Sequence, residues 1–386
     1  MTAVIVAGIG QTPVGEHWEI SLRDLARDAM REAIRDSGGM QPQSLFVGNM
    51  LAPSLSNQAH LGALLADHAL LTGIEAVTLE AAGASGGAAL RQGYLAVASG
   101  MVDVALVVGV EKFTDRIGAE VETALATTTD SDFEAVQGLT PTAQAAMLMQ
   151  RYLHEHKVPA NGLAGFALIA HANGEGNPNA MFRKSIKLES YVQAPFVNEP
   201  LRQFDVAPIA DGAAAVLLAR AEMLPKDPRR PLVRIAGSAS TVDTLSLHDR
   251  RDLLQFECCR LSSEKALKQA GVPLESLDFF EYHDAYSIFA ALALEAVGFA
   301  EPGLGWKLAA DGGISLSGRI PAATMGGLKA RGFPGGATGV YQAVEAMMQL
   351  QARAGVNQIK DAKCGLIQSV GGPASTVISH VLQTVA

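Results

Sequence analysis

The chain has 386 residues and a net charge of −9. Apolar residues make up 48% and charged residues 18%, a globular composition that excludes a disordered chain. The acidic balance argues against a nucleic-acid binder, whose footprint is a basic face. Three cysteines, Cys258, Cys259 and Cys364, form neither a disulfide framework nor a zinc pair, which suits a reducing cytoplasm. The N-terminus enters a strand-like run at once, without the basic start of a signal peptide. No apolar stretch reaches ~18 residues without a charge, so no spanning helix is expected.

In chain order, Val4-Ile-Val-Ala reads as a buried strand. Residues 21–34 form an amphipathic helix with Ser21 as its cap and Gly38-Gly39 just past its end. Leu45-Phe-Val-Gly is a second strand. The turn Gly83-Ala-Ser-Gly-Gly87 leads into a helix from Ala88 to Ala98, and residues 103–109 form a central strand. Strands separated by helices predict a mostly parallel sheet covered on both faces. From Phe113 to Asp205 the pattern changes to short helices and few strands, as in an inserted lobe. Alternation resumes at Ala213 and again at Val233. The Pro- and charge-rich segment 225–231 reads as a link.

The second half echoes the first. Residues 277–282 form a strand, and 286–297 a helix ended by Gly298, with Asp284 as its expected N-cap. Asp211-Gly212 and Gly371-Gly372 each precede a β-rich run, which suggests duplication. The expected organisation is 1–112 with 206–225 as one half, 113–205 as the lobe, and 226–386 as the other half.

Gly8-Ile-Gly10 follows a strand, but Pro13 stands at the third glycine position of a dinucleotide fingerprint and no clear second-strand acid follows. His154-Glu-His156 places its imidazoles two residues apart, off a common helix face, so a solvated surface is expected rather than a metal. Cys258-Cys259 is expected on a helix as buried thiols. Four segments carry more chemistry. Glu80 to Leu90 is a strand-to-helix turn that aims N–H groups at a pocket. Asp243-Thr-Leu-Ser-Leu-His248 and Glu281-Tyr-His-Asp-Ala-Tyr-Ser287 concentrate polar groups, the latter at a strand's carboxyl end. Gly326 to Gly339 is rich enough in glycine for close backbone approach.

Together these segments resemble the thiolase superfamily, nearest the sterol-carrier-protein and archaeal types, over nearly the whole chain. Gly83-Ala-Ser-Gly matches Cys-Ala-Ser-Gly. His283-Asp-Ala-Tyr matches His-Asp-Cys-Phe, and Gly332-Phe-Pro-Gly-Gly-Ala-Thr-Gly matches Gly-His-Pro-x-Gly-Ala-x-Gly. Asn177-Pro-Asn-Ala-Met-Phe and the 243–248 segment match the same subgroup. The resemblance implies an α/β thiolase fold, with two βαβαβαββ halves in a five-layer αβαβα sandwich and a loop lobe over a CoA pocket. It also implies at least a homodimer.

The departures bear on function. The family's acylated cysteine is Gly83, its proton-shuttling cysteine is Ala285, and the histidine of Gly-His-Pro is Phe333. None of these can carry an acyl group or a proton, so ping-pong transfer through this turn is excluded. The resemblance retains an oxyanion hole of backbone N–H groups at Gly83, Gly371 and Gly372. Such a hole suits retro-aldol cleavage of a bulky β-hydroxyacyl-CoA through an enolate, with CoA as part of the substrate and no bound cofactor or metal. Tyr286 and His283 are the expected acid and base, flanked by Tyr282 and oriented by Asp284. Ser85, Asp243, Leu245, His248, Phe333 and Gly335 are the expected pocket residues, with Phe333 as an apolar wall. Superfamily members without the cysteine act as side-chain-cleaving aldolases in steroid catabolism, often with a small DUF35-type partner (OB-fold and zinc ribbon). Two alternatives stay open: a non-catalytic acyl-CoA or lipid-binding or scaffold subunit, and an acyltransferase with other catalytic residues.

Overall fold

The structure is a computed structural model that describes residues 3–225 and 230–385. Of the expected link at 225–231, residues 226–229 lie outside the described residues. The strands are β1 (Val4–Gln11), β2 (Ser44–Gly48), β3 (Glu75–Leu79), β4 (Val104–Glu111), β5 (Phe196–Asn198), β6 (Leu201–Arg202), β7 (Gly212–Arg220), β8 (Val233–Val242), β9 (Phe279–Glu281), β10 (Cys364–Gly371) and β11 (Thr376–Thr384). The helices are α1 (Leu22–Asp36), α2 (Ala52–Leu55), α3 (Leu61–His68), α4 (Ser85–Ala98), α5 (Gly118–Ala126), α6 (Pro141–Glu155), α7 (Ala164–Glu175), α8 (Leu188–Gln193), α9 (Glu257–Ala270), α10 (Ser287–Val297), α11 (Gly305–Ala310) and α12 (Thr338–Leu350).

Nine strands form one sheet in the order β3-β2-β4-β7-β1-β8-β11-β10-β9. The two halves meet at β1 and β8 through a single register pair, Ile5 with Arg234. Counted outward from that seam, the first half runs β1, β7, β4, β2, β3 (first strand, last, fourth, second, third), and the second runs β8, β11, β10, β9 in the matching places without a third. The pairing senses match as well: antiparallel, antiparallel, then parallel in both halves. This is duplication written in topology. The counterpart of β3 is reduced in the second half to one bridge, Phe280 with Ala322. The expectation of a mostly parallel sheet is corrected, because each half returns its last strand antiparallel between its first and fourth strands.

Helices α4 and α12 pack on each other between the two halves of the sheet, α1 covers one outer face, and α9 covers the other. These are the five layers. Helix α1 begins where Ser21 accepts from Asp24 N, and buries Leu25, Ala26, Ala29, Met30 and Ala33. Gly8 and Gly10 of β1 face it: a Cβ would lie 2.2 Å from the Ala33 carbonyl oxygen at Gly8, and 2.2 Å from that of Ala29 at Gly10. Close helix–strand packing, not a dinucleotide, explains these glycines. The lobe differs from expectation, since α6 has 15 residues and α7 has 12. Strand β3 escaped the sequence reading because its residues are largely exposed and offer no apolar run. Cys258 and Cys259 are buried on α9, as expected. Among the described residues no helix is long and apolar enough to cross a membrane.

Gly10→Ala is expected to destabilise the fold by at least about 2 kcal/mol, because backbone must move to admit the methyl. Urea unfolding of the variant beside the parent checks this.

Candidate active site

Three turns from different elements converge on one cavity. The first leaves β3 and enters α4. Ala82 sits at φ +48°, and Ser85 clamps the bend by donating to Ala82 O at 2.6 Å while accepting from Ala81 N at 2.9 Å. Gly83 therefore faces the cavity, and Ser85, fully buried in that clamp, does not line it. The second turn follows β10, where Gly372 and Pro373 reach the cavity. Arg250 secures this turn by donating to Pro373 O and, from Nε, to Thr244 O at 3.1 Å. The third leaves β9 as Tyr282-His283-Asp284-Ala285-Tyr286 and enters α10. Phe333 closes the wall, its N–H donating to Pro208 O at 2.8 Å.

The cavity has a volume of about 130 Å³ and brings together Gly83, Gly372, His283, Ala285, Tyr286 and Phe333. There is no room at Gly83. A Cβ there would lie 2.7 Å from Val370 O and 3.0 Å from His283 Cε1. Burial and the nearby Arg331 hold the His283 imidazole down to about 3, so it is neutral at ordinary pH. Its ring meets Phe333 edge-on at 5.6 Å. Tyr286 shares a 3.1 Å hydrogen bond with Thr142 of α6, and burial pushes its phenol up to about 12.

Other expected residues lie elsewhere. Tyr282 points away from the cavity into the core, edge-on to Phe280 at 5.6 Å. Asp284 lies behind the wall, where its carboxylate accepts from Leu328 N at 2.7 Å. It does not cap α10, whose cap position is Tyr286. Gly371 is pressed on the first turn, and a Cβ there would be 2.4 Å from Ala81 O. Gly335 abuts Glu111 in the same way. Asp243, Leu245 and His248 do not line the cavity. Their segment instead binds the lobe: Ser246 donates to Asp130 at 2.9 Å and Leu247 N to Glu134 at 2.8 Å.

Two lobe residues were missed. Glu122 of α5 is the one carboxyl among the residues lining the cavity, and partial burial raises it above its ordinary value. Gln144 of α6 lines the same cavity and is 1% exposed, yet neither polar atom of its amide has a hydrogen-bond partner among the described residues. Only the sequence Pro141-Thr-Ala-Gln, polar residues opening a helix, could have flagged it.

The halves carry the signature of a known family: residues 3–222 match the thiolase N-terminal domain, and 239–384 the thiolase C-terminal domain-like family. The chain belongs to the thiolase family. It is 40% identical to an acetyl-CoA acetyltransferase of Methanothermobacter thermautotrophicus, with 99% of each chain covered. It is 31% identical to the benzoylsuccinyl-CoA thiolase subunit BbsB of Thauera aromatica (90% of this chain, 89% of that one). Identity to the 17-hydroxy-3-oxo-4-pregnene-20-carboxyl-CoA lyase of Mycobacterium tuberculosis is 27%, over 89% of this chain and 90% of the lyase. The solved Ltp2-ChsH2(DUF35) aldolase superimposes with a TM-score of 0.85 at 22% identity, covering 99% and 98% of the two chains. The thiolase fold on CoA thioesters is thus common to chains named for acyl transfer and for carbon–carbon cleavage.

Two carboxyls behind the site make a pH prediction. Burial pushes Glu281 up to about 8 and Glu111 up to about 7, against an ordinary 4.5. For both groups the folded state binds the proton more tightly. The stability they contribute is complete below their unfolded value and is lost as pH rises through the folded one. Buried His283 and His380, held down to about 3 and 4, act in the opposite sense, but only below the ordinary histidine value of 6.5. Unfolding free energy is therefore expected to fall between pH 6.5 and 8, and Glu281→Gln to flatten that slope in denaturant titrations.

Proposed function

We propose that this thiolase-family chain cleaves a carbon–carbon bond of a bulky β-hydroxyacyl-CoA by retro-aldol chemistry, without a covalent acyl-enzyme. The observation that carries this reading is the closed space at Gly83, where backbone and imidazole stand where a nucleophile's side chain would have to go. Gly83 and Gly372 still bring main chain to the cavity wall, as an oxyanion hole requires.

The proton carriers follow from the groups lining the cavity. Neutral His283 is a weak base, and the Tyr286 phenol is protonated and serves as an acid. Glu122 is then the base. It takes the β-hydroxyl proton, the Cβ–O bond becomes a carbonyl, and the Cα–Cβ bond breaks. The electron pair enters the thioester enolate, whose oxygen is held by the N–H groups. Tyr286 gives its proton to Cα, and the proton on Glu122 returns to the phenolate through the solvent at the mouth. The products are a ketone or aldehyde and a shortened acyl-CoA.

A second cavity of about 680 Å³ supports a bulky tail. It shares Val197, Val206 and Ala207 with the first; beyond these, half of its lining residues are apolar, such as Met181, Phe204 and Pro208, and half are polar or cationic, such as Arg183, Lys184 and Lys329. The first cavity alone is below the ~300 Å³ at which ligand pockets begin. A DUF35-type partner belongs to the same reading, since the solved Ltp2-ChsH2(DUF35) aldolase is named for both chains. A homodimer is proposed along β3, an edge strand with exposed Val77. The 40% identity to an acetyltransferase favours acyl transfer from another residue as the second reading.

The test is to incubate the protein, alone and with its DUF35-type partner, with branched β-hydroxyacyl-CoA thioesters. Ketone and shortened acyl-CoA are expected, with no mass added to the enzyme. An acyl adduct would favour the second reading, and no product across substrates would defeat the first. Tyr286→Phe and Glu122→Gln are each expected to lower kcat about 10²-fold or more. Gly83→Cys is expected to remain unacylated by acetyl-CoA in intact-mass spectra.

A further inference from the structure

The Gln144 side chain lines the cavity buried, and its amide donor and acceptor both lack partners among the described residues. A primary amide carries two N–H donors and one carbonyl acceptor. Leaving such groups unmet in a buried place costs about 1–3 kcal/mol each. The neighbours on the same wall do not meet them. Thr142 is engaged with Tyr286, and Leu125, Phe289 and Phe333 are apolar. The cavity of about 130 Å³ is large enough for a few non-hydrogen atoms beside this amide. A ligand that completes it must both donate and accept.

That requirement separates two oxidation levels. A β-hydroxyl offers a donor and an acceptor. A β-ketone offers acceptors only and would leave the Gln144 carbonyl oxygen buried and unmet. We propose that Gln144 is a specificity residue that selects β-hydroxyacyl over β-ketoacyl thioesters by hydrogen-bonding the β-oxygen in both directions as the substrate binds, the hydroxyl proton turning from the amide oxygen to Glu122 only at the cleavage step. The inference rests on the reading of this cavity as an acyl-thioester site and adds what decides the substrate's oxidation level. Sites built to bond a hydroxyl reject analogues lacking it far more strongly than apolar pockets reject a methylene.

The test reads binding, so it stands apart from whether cleavage occurs. Affinities of the parent and of Gln144→Leu are measured by calorimetry for matched 3-hydroxyacyl-CoA and 3-ketoacyl-CoA thioesters, for the saturated acyl-CoA, and for CoA alone. The parent is expected to bind the hydroxy thioester at least about tenfold tighter than the keto thioester. Gln144→Leu is expected to erase that ratio and to leave CoA binding unchanged. Gln144→Glu, close in shape and still an acceptor, is expected to retain preference for the hydroxy thioester, and it decides the matter should the leucine variant fail to fold by circular dichroism. Equal affinity of the parent for the two thioesters overturns the proposal. So does a loss in Gln144→Leu shared equally by CoA alone, which would assign the amide to the pantetheine arm. Cleavage assays on the same thioesters report separately on the retro-aldol reading: absence of product with an intact hydroxy preference defeats that reading and leaves this one.

Discussion

Two stretches of main chain, one from each half, press together where the thiolase family has a reactive sulfur. Gly83 stands against Val370 O, and Gly371 stands against Ala81 O, so neither position admits a Cβ without movement of backbone. The contact joins the β3–α4 turn to the end of β10 across the duplicated sheet. It fixes where the Gly83 and Gly372 backbone meets the cavity, and it brings His283 into the remaining space. With no side chain at Gly83 the two turns meet as main chain, and the cavity wall there is made of main-chain dipoles. Dipoles already in place stabilise a developing oxyanion without reorganising as charge forms.

The rigidity of the opposite wall has its own origin. Beneath the His283–Ala285 loop lie Glu281, Asp284, Lys329, Arg331 and Glu345, all fully or almost fully buried. Arg331 pairs with Glu345 at 2.6 Å and stacks over Tyr341, while Lys329 donates to Asp205 O at 2.8 Å. Three carboxyls face two cations, an unbalanced set if every carboxyl were ionised. Burial raises all three carboxyls, and with the charge of Glu345 it pushes Glu281 up to about 8, so Glu281 keeps its proton near neutrality and the imbalance is reduced. Such a network contributes little net stability against an apolar core, but breaking it is costly. Its effect here is geometric. Asp284 holds Leu328 N, and Asn177 and Asn357 hold Met325 O and Thr324 O, so the glycine-rich segment at 326–332 is fixed against the His283–Ala285 loop.

Much of this was legible in the sequence, because the turn motifs state their own geometry. Gly83, His283, Tyr286, Phe333 and Gly372 were picked from turn motifs together with their resemblance to the thiolase motifs, and they do meet in one cavity. Tyr282 was misplaced for a reason the sequence itself contains. Successive side chains of an extended segment face opposite ways, so a cavity-facing His283 sends Tyr282 into the core. The 243–248 segment was misread because its polar groups answer Asp130 and Glu134, partners that only tertiary contact supplies. Glu122 and Gln144 were invisible for a similar reason. They sit on lobe helices whose pattern is like that of any surface helix, and only the folding of the lobe over the sheet buries Gln144 and sets exposed Glu122 at the cavity's edge.

On the proposed reading, chemistry is shared between the duplicated halves and the lobe. The halves supply main chain at the Gly83 and Gly372 turns and the acid, Tyr286. The lobe supplies Glu122 on α5 as the base and Gln144 on α6 to read the substrate. This division requires the lobe to be held in register with α10, whose cap residue is Tyr286. The structure holds it in three places. Tyr152 of α6 donates to Glu295 of α10 at 2.5 Å, Thr142 meets the Tyr286 hydroxyl, and Asp130 and Glu134 accept from the 246–247 segment. The first two of these ties link α6 to α10, so the amide of Gln144 and the phenol of Tyr286 are carried on one pair of packed helices. A covalent mechanism tolerates a looser lobe, because the acyl group is tethered to the enzyme between steps. A non-covalent one does not: the substrate's β-oxygen must meet base and amide while its Cα meets the acid, and only fixed helices can place all three.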